Sequence, residues 1–353
     1  MAGRVTRTNY HPGGKPSEII VDAKGLAASI RFDYSQQMES LRIRDPLNRE
    51  VERYVLDGLG RATKIYDVEG REMAVRYRLK NIVSSITRFD GTEIFMDYDI
   101  GARLTRVSYL DGETTYGWLP CGRPSGATNA LATAEYGYDG AGRLVSESVR
   151  SRTSSFPDMK LSYALDRSGL ATNTVFSLQG TTALLTEKAT FDQAARLATQ
   201  TSDAGTFTNT YCAWSGGLES VSNSSLTASY ASDILDRVTN ITYKTASGEP
   251  MRSFTYAYDF SGMITQKVDM AAGSCVTNVY AYDGLGRLLS ESTTQSGTNA
   301  LTQFTYDLAG NRLSQIVNGT TNTYTYGIGN RLSSVSDGTG YTHDNAKRQR
   351  GRR

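Results

Sequence analysis

Histidine is nearly missing from this chain, with 2 residues in 353. His11 stands in a turn-like stretch and His343 near the C-terminus, neither beside a nucleophile motif. Triads and histidine-based acid–base chemistry are therefore excluded at the level of sequence. The three cysteines, Cys121, Cys212 and Cys275, are odd in number and far apart. They form neither a metal-spaced cluster nor a disulfide framework, and read as isolated small apolar residues. Proline is scarce, at 7 residues, which excludes a proline-rich disordered chain. No run approaches the ~20 apolar residues of a membrane helix. The opening "MAGRVTRTNYHPGGKPSEII" lacks the apolar core of a signal peptide. The expectation is a chain that stays inside, or one that belongs to a longer exported protein. A net charge of +2 gives no pull toward nucleic acid or an anionic membrane.

What is present is repetition. "VYAYDGLGRLLSEST" runs from Val279 to Thr293, and "EYGYDGAGRLVSES" from Glu135 to Ser148. "FTYDLAGNRLSQI" begins at Phe304 and "YTYGIGNRLSSV" at Tyr324. Anchoring each copy on the position after its last aromatic gives Asp57, Arg78, Asp99, Leu119, Asp139, Asp166, Asp192, Trp214, Asp233, Asp259, Asp283, Asp307, Gly327 and Asp344. The step from Trp214 to Asp233 is 19 residues and that from Asp139 to Asp166 is 27, and most units lie within these limits. Looser copies such as "NYHPGGKPSEI" and "RDPLNREV" occupy residues 1–50. Residues 1–340 thus read as about fifteen tandem units with no internal boundary. Residues 341–353, ending in "KRQRGRR", read as a basic, disordered tail.

Each unit carries two turn signals. Asp90-Gly91, Asp111-Gly112 and Asn318-Gly319 sit between strand-like runs, where such dipeptides predict two-residue hairpins with positive φ at both positions. The Tyr-Asp-x-x-Gly-Arg segment places an acid first and a glycine fourth, as in a type I turn closed by a left-handed residue. Asp57 and Gly60, Asp139 and Gly142, and Asp283 and Gly286 fit this. Two turns per unit yield two strands per unit. Because side chains alternate faces along a strand, Tyr136 and Tyr138 share a face, as do Tyr256 and Tyr258, and Tyr280 and Tyr282. The fold class is all-β: tandem antiparallel β-hairpins in a continuous curled sheet.

These residues resemble the YD-repeat, or Rhs-repeat, family. "YDGLGRLLSE", "YDGAGRLVSE" and "YDLAGNRLSQI" carry the resemblance, which is specific in aggregate and weak in any single copy. Bacterial Rhs polymorphic toxins, wall-associated proteins, shell components of insecticidal toxin complexes and animal teneurins are members. The resemblance implies a hairpin ribbon spiralling into a hollow shell, which in the toxin members encloses a C-terminal effector. It implies a secreted or cell-surface location within a longer exported protein. Some units depart from the pattern: Leu170, Leu218 and Met263 stand at or near the arginine position, and Leu119 and Trp214 replace the acid. The family's self-cleavage core and a distinct effector are not found in the chain.

About thirty strands at ~4.8 Å spacing span ~140 Å, about one turn of a spiral ~45 Å across. Such a piece leaves two rims, and rim-driven association is expected of it in isolation. The pattern points to a non-enzymatic structural protein, part of a shell that encloses or presents a polypeptide. No cofactor and no metal is expected, no nucleic-acid partner, and no membrane span. The alternative is a carbohydrate-binding or adhesion module, with Tyr136, Tyr138, Tyr256, Tyr258, Tyr280 and Tyr282 stacking on sugars of cell-surface glycans. Asp97 and Asp99 share a strand face, but only locally, which is a poor match to a glycosidase carboxylate pair.

Overall fold

The computed structural model describes residues 5–22, 24–78, 81–178, 183–343 and 349–352. Among them there is no α-helix, and a short 3-10 turn spans Ile328–Asn330. Thirty strands, from Arg7–Tyr10 to Leu332–Val335, belong to one sheet. This agrees with two strands for each of about fifteen units. Tyr341–His343 pairs with Gln349–Arg352 as a separate two-stranded sheet.

The ladder is local. Ala132–Tyr138 pairs antiparallel with Leu144–Ser151, which pairs with Met159–Leu165, which pairs with Ala171–Leu178. Asp turns of the repeat are preceded by a one-residue register shift, as between Gly137 and Tyr138 or Ala281 and Tyr282, while the Asp67 turn follows an unshifted register. The shift is the bulge expected when a type I turn is closed by a left-handed residue. At Asp57 the residue N–H donates to Arg61 O at 2.9 Å, the Gly60 N–H donates to Asp57 O at 2.8 Å, and Gly60 has φ 77°. The expected turn chemistry is therefore present.

The three dipeptide turns diverge from one another. Asn318-Gly319 has positive φ at both residues, 47° and 89°, as expected of a two-residue hairpin. At Asp111-Gly112 the turn has slid back one residue. Tyr109 pairs with Gly112, so Leu110 and Asp111 are the central residues, and neither has a positive φ. At Asp90-Gly91 the loop is longer: Arg88 N–H donates to Thr92 O, and Gly91 alone takes the left-handed φ. In both cases the flanking strand register decides where the turn closes, and the dipeptide yields to it.

Burial is shallow. Ala28, Ile94, Val107 and Ala228 are the buried hydrophobic residues among those described. The accessible area is 21876 Å², against about 14,000 Å² for a compact folded chain of this mass. So few fully buried side chains in a thirty-stranded sheet accord with that excess. Stability must then come from the ladder and from contacts between neighbouring hairpins.

The chain divides into two compact units, Met1–Glu93 with Phe254–Arg353, and Ile94–Ser253. Turns alternate between two rims along the strand order. With strands counted in chain order from Arg7–Tyr10, the Asp turns 57–61, 139–143 and 283–287 and the equivalent turn 327–331, which opens on Gly327, follow odd-numbered strands and form the first rim. Turns 22–27, 45–49 and 67–71 follow even-numbered strands and form the second. Within the first unit the two rims meet. Arg49 Nη2 donates to Asn330 Oδ1 at 2.7 Å, and Arg331 Nη1 lies 2.6 Å from Glu69 Oε1.

Candidate functional site

The repeated Asp-x-x-Gly-Arg turn is the part of this protein with organised side-chain chemistry. At Asp57, Oδ1 accepts the Leu59 N–H at 2.9 Å and the Arg61 N–H at 3.0 Å. Oδ2 accepts Arg61 Nε at 2.7 Å. One carboxylate thus ties the turn backbone and positions the arginine. The arrangement recurs at Asp99, Asp139, Asp192, Asp233 and Asp283. Hydrogen bonds to the charged form favour it. The Arg61 guanidinium holds the Asp57 carboxyl below the usual range, and the Arg143 backbone N–H, then its guanidinium, does so for Asp139.

The arginine also reaches forward. Arg143 Nη1 donates to the backbone carbonyl of Asp166 at 2.7 Å, and Arg61 Nη1 to Asn81 Oδ1 at 2.8 Å. Arg103 and Arg196 make longer bonds of the same kind, to Leu119 O and Gly216 O. The guanidinium lies over the last aromatic ring of the following repeat. Arg61 is 4.5 Å from the Tyr77 centroid, Arg196 is 4.3 Å from Tyr211, and Arg287 is 4.9 Å from Tyr306. A planar, forked cation that both stacks and donates is what arginine supplies and lysine does not.

The aromatic residue reaches back. Tyr77 hydroxyl donates to Ala62 O at 2.9 Å, Tyr211 to Leu197 O at 2.8 Å, and Tyr326 to Arg312 O at 3.0 Å. Each acceptor belongs to the residue just after the arginine position of the preceding turn. In one unit Trp118 Nε1 does the same work, donating to Leu104 O at 2.8 Å. Consecutive turns on the first rim are thus clasped in both directions.

This geometry places the six tyrosines named from sequence. Tyr138 hydroxyl donates to Pro124 O and Tyr282 to Ile264 O, both at 2.9 Å, so both belong to the clasp. Tyr136 faces Glu147 across the ladder, and Tyr280 faces Glu291. Burial, then the Glu291 charge, pushes the Tyr280 phenol upward. Tyr256 and Tyr258 lie half-buried on the strand Pro250–Tyr258. The first aromatic of a pair also has a glutamate or glutamine partner in other repeats: Tyr163 donates to Glu147 Oε1 and Tyr324 to Gln315 Oε1, each at 2.8 Å. That partner was legible in sequence as the acid or amide three or four residues after the arginine.

Two sequence assignments shift. Cys212, not Trp214, holds the anchor position, since its N–H donates to Gly217 O at 2.9 Å. Leu218 accordingly opens the next strand, and Gly217 stands where other turns have arginine. The Cys212 thiol stands in for the carboxylate and accepts the Ser215 and Trp214 N–H groups, which lower it from the usual thiol range. Leu170 and Met263 do occupy the arginine position, and in their turns Asp166 Oδ1 and Asp259 Oδ1 still accept the Leu170 and Met263 N–H groups, each at 2.9 Å. The aspartates Asp45 and Asp67 make the same turn on the second rim, where Asp67 binds Arg71 Nε at 2.9 Å. The spellings "DPLNR" and "DVEGR" show the turn, while its rim follows only from the count of strands.

Among the described residues no cluster of His, Cys, Asp or Glu is arranged to hold a metal ion. Nor, among the described residues, is any helix long and apolar enough to cross a membrane. The side chains of the basic run Lys347–Arg353 lie outside the described residues.

A family model, the teneurin YD-shell, matches residues 3–346. The chain belongs to the teneurin YD-shell family. The clasped Asp turn is the form that its repeat takes in this YD-shell chain. No curated protein matches it. Solved structures similar to it include the TcdB2-TccC3-Cdc42 crystal structure, at 14% identity and TM-score 0.42. That alignment covers 98% of this chain and 24% of the other. TcdB2-TccC3 is similar at 15% identity and TM-score 0.41, with 98% and 25% covered. A porin-like protein from Bacteroides uniformis matches at 13% identity and TM-score 0.22, over 63% of this chain and 93% of the other. The YD-shell chain thus spans about a quarter of the toxin-complex chains it resembles.

Proposed function

We propose that this chain is a wall segment of a larger YD-repeat shell that encloses or presents a partner polypeptide, without catalysis of its own. The reciprocal clasp carries the reading. Arg143 reaches Asp166 and Tyr138 reaches Pro124, so the side chains that recur from repeat to repeat are directed at the two neighbouring repeats. Side chains so committed support a wall. In this reading the chain acts in secreted or cell-surface material, as part of a longer exported protein.

The test is purification of the natural protein under native conditions, followed by protease challenge. An enclosed polypeptide co-purifies and resists digestion until the wall is unfolded. Native material that carries no second polypeptide segment, or one digested at the rate of free chain, sinks the proposal.

A carbohydrate reading has one supporting observation: Tyr136 and Tyr280 each set a ring beside a carboxylate, Glu147 or Glu291. Glycan-array binding lost on substituting Tyr136 and Tyr280, and kept in Tyr138→Phe, would favour it.

A further inference from the structure

The first unit shows how the two rims of this fold fit together. The second-rim turns 45–49 and 67–71 lie against the first-rim turn 327–331. Besides the Arg49–Asn330 and Glu69–Arg331 contacts, Gly329 approaches Val68 so closely that an added Cβ would sit 2.8 Å from its Cγ1. Likewise Gly284, on the first rim, packs against Asp22, on the second. Asp45 and Asp67 are buried on this covered rim, and Leu285 at the neighbouring first-rim tip is half-buried. The contact is heterologous: a first rim receives a second rim.

In the second unit both kinds of rim carry apolar tips in open solvent. Trp214 is 75% exposed and Ile234 is 92% exposed, on successive first-rim turns, with Leu235 exposed beside them. Successive turns on one rim are two strand spacings apart, about 10 Å, so these side chains form one patch. On the second rim Leu110 is 92% exposed, and Leu131 is exposed on the next turn. Turn tips are ordinarily polar, and clustered large apolar side chains at such positions mark a docking surface.

We propose that the first rim of the second unit docks onto the second rim of the second unit in another copy of this chain, with Trp214, Ile234 and Leu235 set against Leu110 and Leu131. A second copy is the occupant because this chain presents both surfaces and already joins rims of these two kinds within its first unit. A heterologous contact of this sort adds copies head to tail, into a ring where the rotation closes and a growing filament where it does not.

Sedimentation velocity over a concentration series tests this with three proteins: the unaltered chain, W214S/I234S/L235S, and L110S/L131S. The unaltered chain is expected to form growing oligomers, and each variant alone to stay monomeric with an unchanged far-UV spectrum. An equimolar mixture of the two variants regains one intact contact and stops at a dimer. An unaltered chain that stays monomeric overturns the proposal. So does a variant that still assembles, or a mixture that remains monomeric. Should either variant misfold, the single substitutions Ile234→Lys and Leu110→Lys replace them. None of these results bears on whether the wall encloses a polypeptide, so the two proposals fail separately.

Discussion

Arg287 holds Asp283 Oδ2 through Nε at 2.6 Å and, through Nη1, donates to the backbone carbonyl of Asp307 in the next turn of the rim. The pair is largely enclosed, with side chains 18% and 9% exposed. Exposed pairs contribute ~0–1 kcal/mol. For this one a double-mutant cycle on Asp283 and Arg287 should give a coupling of about 1–2 kcal/mol, because the bond is charge-assisted and partly desolvated. Coupling below ~0.5 kcal/mol in urea titrations would return it to the surface class.

Tyr282→Phe removes the donor to Ile264 O and leaves the ring in place. A lost hydrogen bond of this kind costs about 0.5–1.5 kcal/mol. Because each hairpin touches mainly its neighbours, the loss should appear locally, as faster amide exchange in residues 259–288. Uniform acceleration along the whole chain would contradict the clasp as a neighbour-to-neighbour device.

Not every Asp turn has glycine at its left-handed position. Ala102 has φ 63° and Ala195 has φ 61°. An L-residue there costs about 1–2 kcal/mol, so Ala102→Gly and Ala195→Gly should each stabilise by up to ~1 kcal/mol after the unfolded-state entropy of glycine is counted. The reverse change, Gly60→Ala, should destabilise by ~1 kcal/mol, although nothing lies within 4 Å of the added Cβ. Its cost is purely conformational. An unchanged urea midpoint for all three would refute the strain.

Acid should weaken the rim. Asp57, Asp99, Asp139, Asp192 and Asp233 are all held below the ordinary aspartate range by their turn N–H groups and arginines. A depressed folded-state pKa favours the charged form in the folded state. The stabilisation is therefore complete above the ordinary value of about 3.9 and is lost as pH falls through the folded values. Urea midpoints measured from about pH 5 downward should fall, and less steeply in Asp139→Asn. A flat profile would show that these carboxylates do not help hold the fold.

Much of this was legible one residue at a time. The Asp-x-x-Gly-Arg spelling specifies a turn, and Tyr-x-Tyr places two rings on one face, because a turn and a strand are local objects with fixed periods. Even the strand total followed from counting repeats. The double role of Arg143 was less visible: its acceptor is the backbone carbonyl of Asp166, which no residue type announces. Drifted copies were harder still. Trp214 was read as the residue replacing the acid, yet Cys212, directly after Tyr211, holds that place in a turn one residue longer than the others.

The sequence by itself determined the hairpins, their turn chemistry and the antiparallel order, since these rest on neighbours a few residues apart. Only the tertiary structure decided that Arg49 meets Asn330, that Glu69 meets Arg331, and that Asp22 packs on Gly284. Those partners are far apart in the chain. Their meeting depends on the sum of many small rotations between adjacent strands, which no single pair of residues encodes.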